Sequence, residues 1–131
     1  MTAELTHPTL DAAHAVLVAA WDATRFYTDP ELGGLVGRLR RTAAAANEAT
    51  LRGCKGLAEA GGRRDELRAR RAQLIGAGAL LRELADGVEA ARRRGLDLAA
   101  ATELMEYQTH ASVTLAALVD HLREEESSRA A

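Results

Sequence analysis

Leu67, Arg70, Leu74, Ala77, Leu81, Leu84, Val88 and Ala91 follow one another at alternating steps of three and four residues. The same stepping returns in Ala101, Leu104, Gln108, Ala111, Leu115, Leu118 and Leu122. A strand would need alternation at every second residue. An α-helix brings these positions onto one side, and the near-3.5-residue repeat suits helices packed almost parallel in a left-handed bundle. Two long helices, each with one apolar side, are therefore the first commitment of this chain.

The punctuation supplies the rest. Proline occurs only at positions 8 and 30, so nothing beyond Pro30 forces a helix to break. Aromatics are 3% of the 131 residues, and the remaining usage favours helix-forming alanine, leucine, arginine and glutamate. Four helices are expected. The first runs over about 9–27, with Thr9 as its N-cap after Pro8. The second runs over 30–57, with Asp29 capping and Pro30 at the first helical position. The third spans 63–94 and stops at Gly95. The fourth spans 97–126, capped by Asp97, and leaves a frayed tail at 127–131. Gly53, Gly56, Gly61 and Gly62 leave the end of the second helix open between 52 and 60. Short connections make neighbours antiparallel, so the expected fold is all-α, one domain, an up-down-up-down four-helix bundle. A core of this size buries roughly two-thirds of the unfolded chain's surface.

Residues 35–53, "LVGRLRRTAAAANEATLRG", set three arginines directly before four alanines. Ala43 to Ala46 go right round a helix, which predicts close approach of neighbours on every side. Gly76 and Gly78 in "GAGALL" each cost about 1 kcal/mol relative to alanine inside a helix. They predict tight contact within the bundle or between subunits.

Net charge is −2, yet the charges are segregated. From Arg38 to Arg94 there are 14 Lys+Arg and 7 Asp+Glu, and the remainder holds 3 basic and 12 acidic residues. Such a division suits a polyanion on one side and a cation-rich partner on the other, or simply solvated charge.

Groups that carry out chemistry are sparse. Cys54 is the single cysteine, so no internal disulfide forms, and no histidine lies near it in sequence. His7, His14, His110 and His121 show no His-x-x-x-His spacing. No glycine loop precedes a lysine with phosphate-binding spacing. The expectation is a non-enzyme without cofactor or metal, cytoplasmic and not membrane-bound. A bundle enzyme or metal carrier using the histidines is the remote alternative.

The arginines carry the best functional signal. Arg38, Arg41, Arg52 and Lys55 stand at intervals of three, eleven and three, which places them near one stripe of the second helix. Arg40 completes the cluster before the alanines. Arg63, Arg64, Arg68, Arg70 and Arg71 open the third helix, and an antiparallel turn sets that opening beside the end of the second. A guanidinium-rich end suited to phosphate is expected. Stacking aromatics are missing from it, so backbone recognition rather than base reading is the available mode.

The pattern "AWDATRFYTDPELGGLVGRLRRTAAAANEATLRG", followed by "GALLREL" and "GLDLAAATELMEYQTHASVTLAALVDHLR", resembles a small four-helix-bundle family. That family includes proteins encoded in ribosomal-RNA intervening sequences and the accessory variability determinant of diversity-generating retroelements. The resemblance covers about residues 10–123. Arg40 and Arg41 match an arginine pair of the intervening-sequence branch, and Gly53 matches the glycine ending its Asn-Ile-Ala-Glu-Gly stretch. Here Ala49, Thr50, Leu51 and Arg52 precede that glycine, and the glutamate position has become basic. This departure tilts the resemblance to the retroelement branch, although the tryptophan often found near the end of those proteins is missing. The resemblance implies a homo-oligomer, a pentamer with a central channel. It also implies a non-catalytic accessory that binds reverse transcriptase and template RNA in support of mutagenic complementary-DNA synthesis. The alternative it implies is an intervening-sequence-type structural oligomer with no nucleic-acid partner.

Overall fold

The computed structural model describes residues 2–57 and 63–129. Four helices follow in order: α1 Thr2–Thr24, α2 Leu35–Cys54, α3 Arg64–Arg93 and α4 Leu98–Ser128. Helices α1 and α3 each pack on α2 and α4, and the diagonal pairs stay apart among the described residues. Thr2 at the start of α1 meets His121 near the end of α4, with Oγ1 3.0 Å from Nε2. Arg40 early in α2 reaches Thr24 at the end of α1. Arg70 early in α3 reaches the carbonyl of Arg52 late in α2. Neighbours thus run antiparallel, and the expected all-α four-helix bundle is the fold.

The repeats that predicted α3 and α4 line the core. Leu67, Leu74, Ala77, Leu81, Leu84, Val88 and Ala91 are buried, as is every member of the α4 stripe from Ala101 to Leu122. Arg70 is the exception, half-buried because its long stem follows the α2–α3 seam to the Arg52 carbonyl. Gln108 sits on the core stripe without an unmet group. Its Nε2 donates to the Leu81 carbonyl at 2.9 Å and lies 3.2 Å from Ser112 Oγ.

Helix starts differ from expectation in two places. α1 begins at Thr2 and carries Pro8 inside it. Thr9 is no N-cap: it is buried, and its hydroxyl donates back to the Leu5 carbonyl at 2.7 Å. Leu5 packs against the core and Thr2 bonds His121, and these contacts hold the turn before the proline in place. Tertiary contact overrides the local break. α2 begins at Leu35 rather than Pro30, because 29–34 form turns with Gly33 and Gly34 at φ 63° and 83°. Only glycine adopts such angles cheaply. Asp29 does cap α2, but from this loop: its Oδ1 accepts the Gly37 N–H at 2.6 Å. Leu32 plugs the loop into the core at 1% exposure.

α1 closes at Thr24 rather than about 27, where the Tyr27 N–H turns back to the Thr24 carbonyl at 3.0 Å. The remaining ends lie nearer their signals. α2 closes at Cys54, short of the expected 57, and the candidate stops Gly61 and Gly62 lie outside the described residues. Gly95 takes φ 117° after α3, and the Leu96 N–H returns to the Ala91 carbonyl at 2.9 Å. The Asp97 side chain accepts from the Ala100 N–H and caps α4. Of the tail expected to fray over 127–131, the chain is helical through Ser128 and Arg129 reaches back to Glu125 at 3.2 Å, while 130–131 lie outside the described residues.

Close approach occurs at Gly53 and Gly87, where no local spacing announces it. A Cβ on Gly53 would meet Leu74 Cγ at 2.6 Å, and one on Gly87 would meet Leu39 Cδ2 at 3.0 Å. Gly76 faces open space and Gly78 has room for a methyl at ordinary contact. Their tight contact within the bundle is therefore not there. The alanine run is thin on one side only: Ala43 and Ala46 are fully buried, Ala45 is half-buried and Ala44 is exposed.

Candidate functional site

Charge divides across the bundle, edge against edge. α2 and α3 carry eleven arginines against six carboxylates, whereas α1 and α4 carry nine carboxylates and the single arginine Arg123. Since α2 packs on α3 and α1 on α4, the two pairs form opposite faces.

The expected cluster at one end is in fact a stripe. Arg38 and Arg41 stand near the Asp29–Gly34 turn, and Arg52 and Lys55 stand where α2 meets α3. Fourteen residues of helix separate Arg38 from Arg52, about 21 Å. The antiparallel turn does set Arg63 and Arg64 at the Arg52–Lys55 end. Residues on one side of α2 therefore run its length, and only half of them reach the hairpin.

Three of the expected site residues are engaged by the protein itself. Arg40 closes the end of α1: Nε donates to Thr24 Oγ1 at 3.0 Å and Nη2 to the Thr24 carbonyl at 3.3 Å. Its guanidinium also stacks 3.9 Å from the Trp21 ring centroid. Arg68 and Arg71 grip Glu126 from α3. Nε of each donates at 2.9 Å, to Oε1 and Oε2 respectively. The Arg68 hydrogen bond, then Arg71, holds the Glu126 carboxyl below its ordinary range against the opposing effect of burial. Sequence alone did not reveal these roles, since Thr24 and Glu126 are far from the arginines along the chain.

The others face water. Arg38 lies 3.9 Å from Glu83 across the α2–α3 seam, Arg52 pairs with Glu48, and Arg63 pairs with Glu66 at 3.6 Å. Exposed pairs of this kind hold each other weakly, by about 0–1 kcal/mol, and an incoming phosphate competes with them. Arg41, Lys55 and Arg64 are exposed and have no ion-pair partner among the described residues. No aromatic ring belongs to α2 or α3, so phosphate contact is the chemistry on offer.

Reactive groups elsewhere are quiet. Cys54 is buried, and desolvation pushes its thiol up to about 11, so the thiolate is scarce at neutral pH. His121 is buried against Thr2, while His7, His14 and His110 are exposed. Glu4 and His7 stand at Glu-x-x-His spacing on the first turns of α1, both in solvent. Among the described residues, no three His, Cys, Asp or Glu side chains gather as metal ligands. No helix of the described residues is long and apolar enough to cross a membrane. Compared with known proteins, the chain matches no family model, no curated protein and no solved structure.

Proposed function

We propose that this chain is a non-catalytic nucleic-acid-binding accessory that holds an RNA backbone along its α2–α3 face. The observation that supports this reading is the division of charge: eleven arginines on one pair of helices, opposite nine carboxylates on the other. Arg41, Lys55 and Arg64 supply exposed cations with no ion-pair partner among the described residues, and Arg38, Arg52 and Arg63 exchange weak surface pairs for phosphate. Arginine's planar fork suits phosphate oxygens in pairs. The four-helix-bundle resemblance extends the reading to an accessory variability determinant of a diversity-generating retroelement. The chain would then act as a homo-oligomer with a cytoplasmic reverse transcriptase and its template RNA. Reconstituted complementary-DNA synthesis tests this. The reading requires that a partner reverse transcriptase copy its template RNA better with the protein than without it, and equal yields would overturn it.

A purely structural oligomer is the second reading. It draws on Gly76, whose missing side chain no contact among the described residues explains, and on Ile75 beside it, 46% exposed. Light scattering at micromolar concentration separates an assembled species from a lone chain, and RNA binding by the assembled species separates the two readings.

A further inference from the structure

The acidic face of the bundle carries its own feature. A groove of about 300 Å³ lies between α1 and α4. Ala19 and Ala23 from α1 and Ala100 and Leu104 from α4 form its apolar lining, with Asp22 and Glu103 as its carboxylates. Val18 and Tyr107, also in its wall, stay 47% and 40% exposed. No cation lines it. Arg25, two residues beyond Ala23, stacks 4.7 Å from the Phe26 ring centroid, and the one arginine of α1 and α4, Arg123, sits sixteen residues beyond Tyr107, about 24 Å along the helix, and faces Asp120.

We propose that this groove docks a basic amphipathic helix of a partner protein. The lining positions run over 15–23 of α1 and 100–107 of α4, about 12 Å, which is two turns of helix. Small residues on both sides let the ridge of an incoming helix settle between α1 and α4. Its apolar side chains cover Val18 and Leu104, and its lysines or arginines meet Asp22 and Glu103. Charge selects this occupant. Asp22 and Glu103 in the groove repel nucleic acid and anionic lipid alike, as do the other carboxylates of α1 and α4 apart from Glu126, which Arg68 and Arg71 hold. A second copy fits poorly, because the apolar stripes of its basic helices are spent on its own core, leaving Leu51 and Ile75 as their large exposed apolar residues. The groove lies opposite the arginines, so this inference stands apart from the RNA reading.

The test uses the full chain, without RNA, and a fluorescein-labelled helical peptide with leucine at i, i+3, i+4 and i+7 and lysine at the flanking positions. Its control carries glutamate for lysine. Fluorescence anisotropy should show saturable binding of the basic peptide on the order of micromolar, weakening with salt, and none of the control. D22N combined with E103Q removes charge without changing shape and should weaken binding about three- to tenfold. Amide exchange should slow at 15–23 and 100–107 when peptide is bound. No saturation, equal binding of both peptides, unchanged affinity of the double variant, or slowing on α2–α3 instead would each overturn the proposal. Concentration-dependent protection of the same residues without peptide would assign the groove to a second copy and also overturn it.

Discussion

Arg71 on α3 holds Glu126 on α4 from two nitrogens, with Nε 2.9 Å and Nη2 2.8 Å from Oε2. Arg68 takes the other oxygen at 2.9 Å, and the glutamate is 6% exposed. This clamp ties the last turns of α4 to the first turns of α3.

The clamp makes a pH prediction. The Glu126 carboxyl is depressed below its ordinary value of 4.5 in the folded chain. Its contribution is therefore complete above that value and is lost as pH falls through the lower folded value. Glu126→Gln should lower the melting temperature at pH 7 and lose less of it on acidification to pH 3 than wild type does. Parallel melting-temperature profiles for the two proteins would show that the clamp contributes nothing.

Glycine substitutions should divide by contact. Gly53→Ala drives a methyl into Leu74 and should cost about 1–3 kcal/mol. Gly76→Ala meets nothing and should gain up to about 1 kcal/mol in an isolated chain. Urea unfolding of the two variants checks this, and equal signs would mean that the helix approaches are misplaced.

The core repeat gives a third expectation. Leu81 and Leu115 are 1% and 3% exposed. Leu→Ala at either should cost about 2–5 kcal/mol by denaturant unfolding. Losses below about 0.5 kcal/mol at both would contradict the buried faces.

What the sequence made legible was whatever short-range periodicity or capping controls. The stripes of α3 and α4, the Gly95 stop and the Asp97 cap needed only neighbours within a turn or two. The start of α1 did not, because the turn before Pro8 is held by His121 at the other end of the chain. Gly53 and Gly76 look alike in sequence, and only packing distinguishes them. The arginines show the same limit. Their number and stripe were readable, but Arg40, Arg68 and Arg71 bind Thr24 and Glu126 through contacts that no local spacing announces.

The remaining basic residues decide the central claim. Arg63 and Arg64 are exposed at the hairpin end, and their replacement leaves the core and the Glu126 clamp untouched. The direct measurement is a salt titration of template-like single-stranded RNA binding, wild type against R63Q combined with R64Q. Log affinity should fall linearly with log salt, and each lost phosphate contact should reduce that slope by about 0.7. Affinity should drop similarly across unrelated RNA sequences, since backbone contacts carry no base information. A flat salt response in wild type, or equal slopes and affinities for both proteins, would contradict an RNA-holding α2–α3 face.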